Sequence, residues 1–330
     1  MLFAKGKQEV NYIAIKEFYE EHPAISIKWM CEVLKISRGS YYKWLTRKPT
    51  KEEIMNEELA QIIIEYDERF THILGYRRMT QWMNHFNHTI YSENRIKRLM
   101  KRFGIKSLIR QKKKKYIKST PEMTADNILK RDFNASTPNE KCATDVTEFK
   151  IIGSSHKLYL SAIIDLYDRS IVTYVVGTRN NNKLIFDTFD KAIKSNPGAK
   201  PIYHSDRGFQ YTSKVFKAKL EENEMIQSMS RTGHSIDNGP TEGFWGIIKS
   251  EMYYLTKFYD IETLKKAIDD YINFYNNERL QNRYHNQTPI EVRTKALNSQ
   301  NIEQYPIPKN KRIQDYYYNL ELKKQTDIHT

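Results

Sequence analysis

The 330-residue chain reads as a multidomain α+β protein, with helical modules first and a mixed sheet flanked by helices after them. Three observations predict this. The length exceeds the roughly 250–300 residues at which single cores stop growing. Apolar residues recur with helical spacing as far as Phe103 and switch to strand-like runs from Lys141. Between the two regimes, the Thr, Pro, Ser and Asn clusters of Lys118 to Asn139 mark a boundary. The expected division is a module at 1–50, a second helical module with a basic segment at 51–118, a linker at 119–138, an α/β core at 139–255, its helical extension at 256–297 and a tail at 298–330.

In the first module, Tyr12 to Glu21 is helix-like and His22-Pro23 breaks it. Ile27 to Leu34 follows as a short helix with Trp29, Met30, Val33 and Leu34 on its apolar side. Lys35-Ile36-Ser37 makes a tight connection, and Ser37 is the expected N-cap of Arg38 to Leu45, whose inner face is Tyr41, Trp44 and Leu45. This is a helix-turn-helix pattern, and it directs Arg38, Ser40 and Lys43 toward a DNA groove. Helical periodicity resumes from Glu57 to Phe103, interrupted near Thr71 to Gly75. Leu59, Ile62, Ile63 and Tyr66 form one face, Met79, Trp82 and Met83 another, and Ser92 starts a third helix carrying Ile96, Leu99, Met100 and Phe103. From Arg95 to Lys118 there are twelve Lys or Arg and no acid. Such a run, with Arg95, Lys97, Arg98 and Lys112, Lys113, Lys114 and Lys115, neutralises phosphates without reading bases.

From Lys141 the expected elements are strands at Lys141 to Ile151, Leu158 to Leu166 and Ser170 to Val176, joined by Gly153-Ser154-Ser155 and Tyr167-Asp168-Arg169. A helix at Asn182 to Ser195, a strand at Pro201 to Ser205, a helix at Ser213 to Asn223 and a strand at Ile226 to Met229 follow, and another helix begins near Glu242. An antiparallel meander followed by strand-helix alternation gives a mixed sheet with helices against it.

Composition narrows the function. The net charge of +14, from 54 Lys plus Arg against 40 Asp plus Glu, favours a polyanionic partner, and nucleic acid fits better than membrane. No run approaches the roughly 20 apolar residues of a spanning helix, and Met1 to Glu9 lacks a signal-peptide core, so a cytoplasmic, nucleoid-associated location without a membrane partner is expected. Cys31 and Cys142 are the only cysteines, too few for a disulfide framework or repeated zinc modules.

Three acids stand out. On the element map Asp145 lies mid-strand, Asp206 at the carboxyl end of the fourth strand and Glu242 in the first turn of a helix, with 35 residues between the last two. All three then meet at one edge of the sheet, where ligand sites of such folds lie. Oxygen donors converging from separate elements suit hard divalent cations and phosphoryl transfer. Lys249, seven residues or about two turns after Glu242, is expected on nearly the same face and on a substrate phosphate. Asp237 sits in a Gly/Asn/Pro loop where Asp is common for turn reasons, and Glu251 lies on another face. His204 reads as packing and Asp165 as a strand-end structural group.

The order of motifs resembles a known family. Asn127-Ile128-Leu129, Phe133 and Pro138-Asn139 are followed by Thr144-Asp145-Val146-Thr147, Tyr159-Leu160-Ser161 and Ile164-Asp165. His204-Ser205-Asp206-Arg207-Gly208, Gln210-Tyr211, Ser230-Arg231, Asp237-Asn238, Pro240 and Glu242 come next. Gly75-Tyr76-Arg77-Arg78-Met79 and Arg95-Ile96-Lys97-Arg98-Leu99-Met100 lie upstream, Phe274 to Arg279 and Thr288-Pro289 downstream. The chain is similar, over roughly residues 12 to 293, to the second-frame (OrfB) DDE transposases of bacterial insertion-sequence family three. It departs at Cys142 and Ile236, where the family commonly has Trp, and at Gly243, where Ser is usual.

The resemblance implies an RNase H-like, retroviral-integrase-type core that cleaves DNA strands and transfers them at insertion-sequence ends. Asp145, Asp206 and Glu242 would be the catalytic acids and the ligands of two Mg²⁺ ions about 3.5–4 Å apart, Mn²⁺ being able to substitute. Asp145 would bridge both ions, with Asp206 on one and Glu242 on the other. Lys249, Arg231, Arg38, Lys43, Arg77 and Arg78 join the basic segment as expected DNA contacts. The implied partners are the terminal inverted repeats of the element, target DNA, further copies of the chain and an upstream-frame OrfA segment for specific end binding. A catalytically inert, transposase-derived DNA-binding regulator is the alternative, and it would tolerate loss of an acid; none is lost.

Overall fold

The computed structural model describes residues 7–109, 125–231 and 235–307. The chain divides into two compact units, Met1–Ile109 and Arg110–Thr330.

The first unit is helical: α1 (Lys7–Glu21), α2 (Ile27–Val33), α3 (Arg38–Leu45), α4 (Lys51–Arg69), α5 (Tyr76–Phe86) and α6 (Glu93–Arg102). Ser26 caps α2 by accepting from Trp29 N, and Lys35 takes a left-handed φ of 53° that turns the chain tightly into α3. Ile15, Met30, Cys31 and Tyr41 form the core of this three-helix part. Trp29, Val33, Leu34 and Leu45, expected on inner faces, are exposed. A seven-residue helix turns only a narrow stripe inward, and Met30-Cys31 occupy it. The α4 helix starts at Lys51 instead of Glu57, because Thr50 and Glu53 form a reciprocal capping box. Trp82 of α5 lies against Tyr66, Phe70 and Phe86, with ring centroids 4.4, 5.2 and 4.8 Å away. The α6 helix begins at Ser92, whose hydroxyl accepts from Arg95 N.

The second unit is built on one five-stranded sheet of order β3-β2-β1-β4-β5. Its strands are β1 (Lys141–Lys150), β2 (Lys157–Asp165), β3 (Ile171–Gly177), β4 (Ile202–Ser205) and β5 (Ile226–Met229). The first three are antiparallel, with Asp145 opposite Ala162, and β4 joins β1 in parallel with His204 opposite Ala143. This is the mixed sheet that the alternating pattern predicts. The helices are α7 (Asn182–Ser195), α8 (Lys214–Glu222), α9 (Gly239–Ile248), α10 (Ile261–Asn277) and α11 (Pro289–Leu297).

Strand alternation sends β1 side chains to two cores. Phe149 joins Phe244, Trp245 and Ile248 of α9 and Leu264, Ile268 and Ile272 of α10. Cys142 joins Ile185 and Phe189 of α7 and Phe216 and Leu220 of α8 on the other side. A buried ion pair braces the first core: Arg279 donates to both oxygens of Glu251 at 2.9 Å, and Tyr271 Oη donates at 2.8 Å. Glu251 is therefore structural.

Two expectations change here. Residues 125–138 are no linker: Leu129 is buried in the first core, and the amides of Ile128 and Leu129 donate to Ser228 Oγ of β5. Polar composition signalled irregular backbone, but irregular backbone packs well when its amides find partners. The start of the tail is likewise ordered. Tyr305 lies buried beside Tyr167 and Tyr284, and Tyr167 Oη donates to Glu303 O at 2.7 Å. No described helix is long and apolar enough to cross a membrane.

Candidate active site

Asp145 sits in the middle of β1, on the face that packs against α9. Its Oδ1 accepts from Val146 N at 2.7 Å and its Oδ2 from the Trp245 indole at 2.9 Å. Asp206 follows the last residue of β4, and its Oδ1 accepts from Gly208 N at 2.8 Å. A side chain at Gly208 would crowd that carboxylate, since a Cβ would lie 3.0 Å from Asp206 Oδ1. Glu242 lies in the first turn of α9, where the helix dipole favours a negative charge. The three acids thus occupy the strand, strand end and helix start expected of them.

Their charges act on one another. Burial, then the charge of Asp206, and to a smaller degree that of Glu242, push Asp145 up to about 7, against the pull of the Trp245 and Val146 hydrogen bonds. Burial also raises Asp206. Oxygen-only donors whose negative charges crowd each other suit a hard cation. Glu242 is exposed, and among the described residues no three His, Cys, Asp or Glu side chains are close enough together to hold a metal ion. The donor chemistry fits, then, with the Asp145–Asp206 pair formed and the Glu242 side chain at the solvent edge.

Asp237 has a different task. It is 1% exposed and accepts from Arg131, from Arg231 N and Nε at 3.1 and 3.0 Å, and from Asn127 Nδ2 at 3.1 Å. These donors hold its carboxyl well below the usual range even though burial opposes them. Its carbonyl accepts from His204 Nε2 at 2.8 Å, while His204 Nδ1 accepts from Ser228 at 2.9 Å. Asn238 Nδ2 then donates to Thr144 O, next to Asp145, at 3.2 Å. The cluster fastens the start of α9 to β1, β4 and the segment before β1. His204 packs as expected, and Asp165 is a buried structural acid held by Asn139 N, Tyr167 N and Arg293.

The expected DNA contacts are dispersed. Arg38 and Lys43 are exposed on α3, as are Arg77 on α5 and Lys97 and Arg98 on α6. Arg77 pairs with Glu93 at 3.6 Å, Lys97 lies over the Tyr76 ring, and Arg78 is half-buried. Arg95 donates to Asn56 Oδ1 at 3.0 Å. Arg231 is tied to Asp237, and Lys112 to Lys115 fall outside the described residues. Lys249 follows Glu242 along regular helix, as the turn count expects. The helix becomes π-helical at Lys249–Tyr253, and Lys249 Nζ lies 5.4 Å from the Phe149 ring centroid. Sequence reasoning gave no site role to Trp245, Arg131 or Asn127; Asn127 stands among the resembling motifs, and Trp245 carried a signal of its own, an indole one turn beyond Glu242 and hence on the same helix face.

A five-stranded mixed sheet with one acid on its central strand and another at the end of the neighbouring parallel strand has the arrangement of an integrase-type, RNase H-like core. Profiles described as "Integrase core domain" match residues 135–235 and 242–297, and one described as "HTH-like domain" matches residues 55–113. The chain is 36% identical over 265 residues to the putative transposase InsK for insertion sequence element IS150 of Escherichia coli (strain K12), covering 79% of this chain and 91% of that protein. It is 27% identical over 261 residues to the transposase InsF for insertion sequence IS3A of the same organism, covering 77% and 89%. The HTLV-2 integrase catalytic core domain in complex with magnesium is similar at 20% identity and a TM-score of 0.37, covering 48% of this chain and 97% of that one. The chain belongs to the DDE transposases of insertion-sequence family three, enzymes that act on DNA. Proteins with this core use divalent metal ions.

Proposed function

We propose that Asp145, Asp206 and Glu242 are the catalytic acids with which this transposase cuts and joins DNA at the ends of its element, and that they hold two Mg²⁺ ions, replaceable by Mn²⁺. The observation that carries this reading is the meeting of two carboxylates from separate elements, Asp145 on β1 and Asp206 just after β4, near enough that the charge of Asp206 adds to burial in raising the Asp145 carboxyl. Bound cations would supply Lewis-acid activation of a water or a 3′-hydroxyl and charge neutralisation at the leaving 3′-oxygen. Asp145 and Asp206 would hold the ions from the sheet, and Glu242, exposed in the first turn of α9, would join them from the solvent edge.

Residues 139–255 form the catalytic core and 256–297 its extension, and the modules at 1–50 and 51–118 grip DNA. Arg38, Lys43, Arg77, Arg78, Lys97, Arg98 and Lys112 to Lys115 supply phosphate contacts, with Arg95, Lys249 and Arg231 joining them where their partners release them. The chain assembles with further copies on DNA, and an OrfA segment sharpens its choice of terminal inverted repeats. The test is strand transfer by purified protein on candidate element ends with Mg²⁺. Glu242→Gln keeps the side chain's size and removes a charged ligand, so joining collapses while DNA binding survives. Near-normal strand transfer by that variant would remove Glu242 from the site.

A further inference from the structure

We infer that Trp245 is a positioning residue for Asp145: its indole N–H holds Oδ2 of the metal-binding carboxylate and locks the helix of Glu242 to the strand of Asp145. The inference rests on the proposed role of Asp145 as a ligand. Both carboxylate oxygens are engaged by the protein, Oδ1 by Val146 N at 2.7 Å and Oδ2 by Trp245 Nε1 at 2.9 Å. A carboxylate has about four lone-pair sites. One donor on each oxygen therefore fixes the plane of the group and leaves each oxygen a lone pair for an ion.

The two donors differ in kind. Val146 N belongs to the same strand and moves with Asp145. Trp245 is anchored elsewhere, on α9, with its ring 7% exposed and packed in the core beside Phe244 at a centroid distance of 5.2 Å. It stands three residues after Glu242, so one rigid helical turn carries both the acid and the donor that aims the other acid. A phenyl ring at 245 would fill most of this space and donate nothing. Partners that orient a ligating carboxylate are worth about 10–100-fold in metal affinity, and this indole is the one side-chain donor to Asp145 among the described residues.

The full chain, stripped of metal, is titrated with Mn²⁺ and read by electron paramagnetic resonance as wild type, Trp245→Phe and Asp145→Asn. Trp245→Phe should bind Mn²⁺ about 10-fold more weakly with its thermal midpoint close to wild type. An affinity within about twofold of wild type, well short of that loss, overturns the inference. Asp145→Asn separates the two claims. If it abolishes the site while Trp245→Phe leaves it intact, the positioning role alone falls; if it too binds normally, Asp145 is no ligand and both fall. Should Trp245→Phe fail to fold, a chain with Trp29, Trp44 and Trp82 changed to Phe leaves Trp245 as the sole tryptophan. Its emission should shift on Mg²⁺ saturation and lose that shift in the Asp145→Asn background. Emission indifferent to Mg²⁺ overturns the inference.

Discussion

In the metal-free protein Asp145 should act as a built-in destabiliser that Asp145→Asn relieves, increasingly so as pH rises. The folded carboxyl is pushed up to about 7, against about 3.9 in the unfolded chain. A raised acid holds a proton in the folded state that the unfolded chain has released, so stability is lost as pH climbs from about 4 through about 7. Between about pH 5.5 and about pH 7.5 linkage alone gives about 2 kcal/mol, and solvent screening at a half-exposed group reduces this to about 1 kcal/mol. For a unit of this size that is about 2–4 °C in the unfolding midpoint. The assay is thermal unfolding in EDTA at both pH values, read as the difference between variant and wild type. The difference cancels the hydrogen bond, worth about 1 kcal/mol, that an amide fails to make with one of the two donors, Val146 N or Trp245 Nε1. Added Mg²⁺ should raise the midpoint of wild type and leave that of Asp145→Asn in place. Parallel midpoint-against-pH curves for the two proteins would refute the reasoning, because they would mean that Asp145 is not strained by its neighbours.

Asp237→Asn should lower stability by about 2–3 kcal/mol, less than the 3–5 of a fully buried pair because Arg231 is exposed. The Asp237 carboxyl is held well below its usual range, so this stabilisation is present above about pH 4 and is lost on further acidification; urea titrations in which the deficit of the variant persists undiminished in acid would contradict it. Replacing Lys112, Lys113, Lys114 and Lys115 with Gln should weaken DNA binding across all sequences and flatten its salt dependence, by up to about 0.9 per lost contact in the slope of log K against log salt. Fluorescence anisotropy on unrelated duplexes checks this, and an unchanged slope would mean that these lysines are merely solvated.

How much of this was open to sequence reading follows from the range of the forces involved. The sheet was readable because β-branched and aromatic runs between Gly and Asp turns reflect local preferences, and the three acids because local pattern puts them on a strand, at a strand end and at a helix start. What failed was long-range. Thr and Pro in 125–138 signal irregular backbone, yet only the distant Ser228 and Asp237 show that this segment is packed. Asp237 itself reads as a turn former until Arg131, 106 positions away, is seen to meet it. The active site therefore divides into two layers: acids whose positions follow from local structure, and donors such as Trp245 that reach them across 100 residues of chain. A lost acid shows in the sequence. A lost donor shows only in the fold, which is why the variants that separate aim from identity, Trp245→Phe and Asp237→Asn, are the informative ones.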